Sequence, residues 1–167
     1  MKRILYLVTF ALVLLAFPVL HAQSGGGTGS FSFALNGYTV QGQLVNAVIR
    51  SDNSVTLNMN INGNLQTSVG SIPITGNGQW YGKANTTILS GTIQNVQGAV
   101  TICMLIFFCG NANYVGQGTW NGNLSGQQGT GTFQGTITFT SSPVSQIPVN
   151  QPISVSGTWN SNFQSTS

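Results

Sequence analysis

Asp52 and Lys83 are the only acidic side chain and the only lysine after residue 22, and they sit in a chain crowded with asparagine. A lysine amine and an asparagine side chain can join inside an apolar core when a carboxyl group moves the protons. This pair is therefore the one arrangement that suggests covalent chemistry, and two solvated surface residues are the simpler reading. Cys103 and Cys109 are the only cysteines, and in an exported chain two cysteines suggest one disulfide. Asn85-Thr-Thr87 and Asn123-Leu-Ser125 fit the N-glycosylation pattern, which chance also produces in a chain so rich in Asn, Ser and Thr.

Catalysis of the usual kinds lacks its residues. The chain has no Glu, and its single histidine, His21, lies in a segment expected to be removed. General acid–base work, a Ser-His-Asp or Cys-His arrangement and a metal cluster all need groups that are missing. Gly25-Gly-Gly-Thr-Gly29 follows no strand and opens no helix, so it is no phosphate loop. We expect no enzyme, no metal and no cofactor.

These residues are carried by a chain whose start, Met1 to Gln23, has Lys2 and Arg3 before an apolar run and a small Ala22 at its end. That is the pattern of a signal peptide spanning 1–22, with a retained membrane anchor as the competing reading. Beyond it only Arg50, Asp52 and Lys83 are charged. No basic patch exists for a phosphate backbone, so nucleic acid is not an expected partner, and contact with membrane is expected only through the signal segment. A surface with a single side-chain carboxylate hardly titrates in acid, which hints at a harsh exterior; drift in a low-complexity secreted chain accounts for it equally well.

The body reads as short strands. In Ser54–Val69, Val55, Leu57, Met59 and Ile61 alternate with Thr56, Asn58, Asn60 and Asn62, the period of a half-buried strand. Asn62-Gly63 predicts a hairpin turn there; Asn77-Gly78 and Asn121-Gly122 predict breaks further on, and Asn36-Gly37 is a candidate turn. Residues 23–30 read as a Gly-rich leader, 31–160 as one domain and 161–167 as a disordered tail. Phe31, Phe33 and Leu35 either begin the domain's own sheet or dock onto a neighbour.

If Cys103 and Cys109 pair, the chain must turn between them, because a straight strand would hold them roughly 20 Å apart. Met104, Leu105, Ile106, Phe107 and Phe108 would then form an apolar loop. Core burial is the expected fate, with contact to a partner or lipid surface as the alternative; buried free thiols are a third option. Trp80, Trp120 and Trp159 recur in Gly78-Gln-Trp80, Gly118-Thr-Trp120-Asn and Gly157-Thr-Trp159-Asn, the first two followed at unequal distances by Gly91-Thr-Ile93 and Gly135-Thr-Ile137. The irregular spacing argues against a solenoid, and recurrent hairpins account for it. Core tryptophans are expected over sugar-stacking platforms.

The signal segment, the Gly-rich leader before Phe31-Ser-Phe-Ala-Leu35 and the nearly uncharged all-β body resemble archaeal surface-filament subunits of the donor-strand kind. The resemblance implies an antiparallel β-sandwich, jelly-roll or immunoglobulin-like, with an N-terminal extension strand that completes the next subunit. The donor would be Phe31, Phe33 and Leu35, with Tyr38 and Val40, and the partners would be identical subunits, head to tail, with glycans coating the filament. The expectation is thus a secreted structural or adhesive subunit. A monomeric carbohydrate-binding domain using exposed Trp and Tyr is the alternative, and a small outer-membrane barrel fits less well, for want of aromatic girdles.

Overall fold

The computed structural model describes residues 26–35, 37–67, 70–105 and 108–166. Eight strands follow one another along the chain: β1 (Gly27–Leu35), β2 (Tyr38–Arg50), β3 (Ser54–Thr67), β4 (Gly70–Asn85), β5 (Ile88–Leu105), β6 (Phe108–Ser125), β7 (Gln128–Phe139) and β8 (Pro152–Asn162). A short β9 (Gln164–Thr166) comes last. From β1 to β8 neighbours in sequence pair antiparallel, and β1 pairs with both β2 and β8. The sheet therefore closes into an eight-stranded antiparallel barrel, and the expected β-sandwich is incorrect. The physical reason lies in β1: Phe31 stands opposite Gly42 on one side and Trp159 on the other. The strand read as an extension closes the sheet on itself, leaving no gap between β8 and β2.

Starting at Asn85 on β4, a walk from partner to partner passes Asn123, Asn160 and Gln43 and returns to β4 at Asn77, 85 − 77 = 8 residues away. Eight strands with that stagger enclose a space that side chains can fill. Phe31, Phe33, Leu57, Trp80, Leu89, Trp120, Phe133 and Trp159 do so. Trp80 packs against Trp120 at 5.7 Å between ring centres, and Trp120 meets Trp159 edge-on at 5.4 Å. Edge-to-face contacts of this kind add to the stabilisation that burial alone gives. The tryptophans are 0, 2 and 3% exposed, so they are core residues and form no sugar platform. The outer wall is mostly Asn, Gln, Ser and Thr, with a few exposed apolar side chains such as Tyr81, Ile88 and Val115, unlike the continuous apolar band of a membrane barrel.

Asn-Gly proved a poor guide to turns. Asn62-Gly63, Asn77-Gly78 and Asn121-Gly122 all lie within strands, and β3 pairs with β4 without interruption from Ser54 to Thr67. The burial alternation already ran through Gly63 to buried Leu65. A glycine at an inward position removes a side chain where a large one must lie: a Cβ on Gly122 would meet the Trp159 ring at 2.6 Å, and one on Gly78 would meet Met59 and Val96 at 2.9 Å. Gly37, with φ of +83°, does sit at a turn, between the paired Leu35 and Tyr38.

Ser141–Gln151 is a connection, tied by a parallel bridge from Phe139 to Val149. The chain end expected to be disordered from 161 instead completes β8. It buries Phe163 and lays β9 parallel to β2 as far as Thr166. β1 likewise starts at Gly27, inside the expected leader. The signal-peptide reading of 1–22 lies outside the described residues.

Candidate functional site

The three tryptophans reveal how the barrel is built. Trp80, Trp120 and Trp159 lie on β4, β6 and β8 at offsets of 120 − 80 = 40 and 159 − 120 = 39 residues, one hairpin each. Their cross-strand partners are Ile93 on β5, Phe133 on β7 and Phe31 on β1. Backbone bonds repeat with donors at the same offsets: the amides of Ala84, Leu124 and Phe163 donate to the carbonyls of Asn53, Thr87 and Gln127 at 2.9, 2.7 and 2.7 Å. Thr86 and Gly126, again 40 apart, both hold a positive φ, 54° and 61°. The barrel is therefore a ring of similar hairpin units, β2–β3, β4–β5 and β6–β7, with β8–β1 as the fourth. That last unit is assembled from the two ends of the chain.

The sequence signal for this was present but misaligned. Gly91-Thr-Ile93 matches Gly131-Thr-Phe133 at the same offset of 40, whereas Gly135-Thr-Ile137 lies one short step further along β7.

Of the residues named as a donor strand, Phe31, Phe33 and Leu35 sit in this fourth unit, and Tyr38 and Val40 lie on β2 in the first. Phe31, Phe33, Leu35 and, on β2, Val40 are buried, while Tyr38 is 39% exposed. Phe31 stacks on Phe33 at 6.3 Å and meets Phe133 edge-on at 6.1 Å. Its ring lies on Gly42, where an added Cβ would come within 2.2 Å. Trp120 lies on Gly82 and Trp159 on Gly122 in the same way, so each unit lends a glycine to an aromatic ring of another. The indole N–H of Trp120 donates to the Tyr81 carbonyl at 3.2 Å, and that of Trp159 to the Asn121 carbonyl at 3.0 Å. Trp80 has no such acceptor. Phe31 occupies the glycine that the repeat would assign to it, and its Nε1 is buried without a hydrogen bond.

Covalent joining of Lys83 to an asparagine finds no support in its surroundings. Lys83 and Asp52 are about two-thirds exposed, with 3.8 Å between Nζ and Oδ2, and Lys83 also donates to the Asp52 carbonyl at 3.4 Å. Ser54, bonded to Asp52 through its hydroxyl and its amide, holds the carboxyl below its ordinary pKa. The other perturbed group is Tyr114, which burial pushes up to about 12 and whose hydroxyl donates to the Thr75 carbonyl at 2.9 Å. Among the described residues no group of three metal-ligating side chains occurs.

Cys103 and Cys109 are register partners across the β5–β6 hairpin and form a disulfide. The side chains of Met104, Leu105, Ile106, Phe107 and Phe108, the expected apolar loop, lie outside the described residues. Asn85, at the end of β4, and Asn123, on β6, are both exposed on the wall, one on each side of Ile88. Compared with known proteins, the chain matches no family model, no curated protein and no solved structure.

Proposed function

We propose that the protein is a secreted, non-catalytic structural or adhesive subunit whose copies join by exchanging β1. The observation that carries this reading is the split fourth unit: β8 and β1 pair as the strands of the other hairpins do, yet no turn connects them. A β1 from a second copy would meet the same register on β8 and β2, so Phe31, Phe33 and Leu35 would be buried as before, each worth about 1.5–3 kcal/mol. Exchange replaces contacts with identical contacts, which makes it a low-cost route to assembly. Passing each β1 onward builds a filament; mutual exchange, favoured when the short link from Leu35 to Tyr38 straightens in both copies, closes a pair. Export is supported by the basic and apolar start of the chain and by the disulfide.

The test is electron microscopy, with mass measurement, of the chain from Gln23 beside a variant lacking 23–35. Filaments or pairs in the first, none in the second, and recovery of the variant's fold on adding a peptide of residues 26–36 are expected. Single barrels in the first sample at high concentration would overturn the reading.

A further inference from the structure

Four side-chain amides stand in one line across the barrel wall. Gln43 on β2, Asn60 on β3, Asn77 on β4 and Gln97 on β5 are successive cross-strand partners, and all four are exposed. Val115 on β6, 45% exposed, continues the row. Together with Asn62 and Thr75 from the adjacent row, these residues line a groove of about 910 Å³ that contains no charged side chain.

The four amides make no hydrogen bond to another described residue. At other positions on the wall some outward side chains bond one another, Asn160 to Ser30 at 3.0 Å and Thr132 to Asn121 at 3.1 Å. The donors and acceptors of this row therefore face outward, open to a hydroxyl-bearing ligand. A carboxamide both donates and accepts, which suits it to neighbouring hydroxyls. Adjacent strands lie about 4.8 Å apart, close to the length of one ring in an extended sugar chain. A groove without charge offers a phosphate or carboxylate polymer nothing to pair with.

We propose that this row binds a neutral polysaccharide lying across β2–β5, one sugar ring to each amide, with Val115 against the apolar face of a terminal ring. The site holds whether or not copies join through β1. It also differs from a tryptophan platform, since the tryptophans are in the core.

Titration of the isotope-labelled chain from Gln23 with linear neutral hexaoses of β-linked glucose, α-linked glucose and mannose, with polygalacturonate as the charged control, tests it by NMR. At least one neutral hexaose should shift the side-chain amide signals of Gln43, Asn60, Asn77 and Gln97, and polygalacturonate should not. Replacing Asn60 and Asn77 together by Ala should weaken binding about tenfold, the effect of losing two net hydrogen bonds, while Asn121→Ala, in a self-bonded row, leaves it unchanged. Failure of every neutral hexaose to shift these signals, full binding by the double variant, or shifts that follow protein concentration alone would overturn the proposal; the last would assign the row to a second copy.

Discussion

The β6–β7 hairpin and the β8–β1 pair place the same kinds of side chain in the same positions, with Trp120 facing Phe133 in one and Trp159 facing Phe31 in the other. A turn at 126–127 joins the first pair; nothing but the closed sheet holds the second. Local pairing is cheap to form because its loop is short, whereas joining β1 to β8 must close the whole chain. The comparison teaches that equal contacts can differ in how readily they are surrendered, and β1 is the strand placed to be surrendered.

The largest effects should come from the facing phenylalanines. Phe31→Ala and Phe133→Ala should each cost about 3–5 kcal/mol in urea unfolding. Only Phe31→Ala should also change the distribution of assemblies seen by light scattering, and a matching change from Phe133→Ala would remove the distinction between the two units.

The next effect is alkaline. Tyr114 keeps its proton in the folded barrel up to about 12, against an ordinary value near 10. The unfolded chain thus loses that proton first. The stabilisation is complete below about pH 10 and falls as pH rises, the loss reaching about 2–3 kcal/mol by pH 12. Thermal melts across that range should show the loss, and Tyr114→Phe should flatten the part due to this group.

A smaller contrast separates the tryptophans. Trp120→Phe and Trp159→Phe each remove an indole hydrogen bond, whereas Trp80→Phe removes a donor that has no acceptor. The first two should be less stable than Trp80→Phe by about 1–2 kcal/mol, read from unfolding midpoints. Equal costs at all three positions would contradict the account of Phe31 displacing Trp80 from Gly42.

The smallest effect is acidic. Ser54 lowers the pKa of Asp52, so any support from this carboxylate is present at neutral pH and is lost as pH falls below the ordinary carboxylate range. Asp52 is the only acidic side chain and is exposed. Between pH 7 and pH 3 the melting temperature should therefore move by no more than about 2 °C, and Asp52→Asn should leave the profile nearly unchanged.

Strand content was legible from the period of two in Val55–Ile61, because inward and outward side chains alternate wherever one face is wet. Closure was not. Whether a sheet stays open depends on what its last strand meets, and no local pattern around Phe31 reveals Trp159. The Asn-Gly pairs misled because the same glycine serves a tight turn at Gly37 and a ring-bearing strand position at Gly122. Matching Gly91-Thr-Ile93 to Gly131-Thr-Phe133 would have exposed the 40-residue unit. The amide row, by contrast, needs the register of β2 to β5 and is invisible in a linear reading, since Gln43, Asn60, Asn77 and Gln97 are spread over four strands.

The most direct test of the split fourth unit is a circular permutant in which a short linker joins Thr166 to Gly26 and new ends open at 36–37, where β1 turns into β2. The permutation makes β8 and β1 a continuous hairpin and leaves β1 anchored to its own barrel. The account predicts that the permutant is a monomer at least as heat-stable as the parent and that the parent forms pairs or filaments. A permutant that fails to fold, or one that assembles as the parent does, would contradict it.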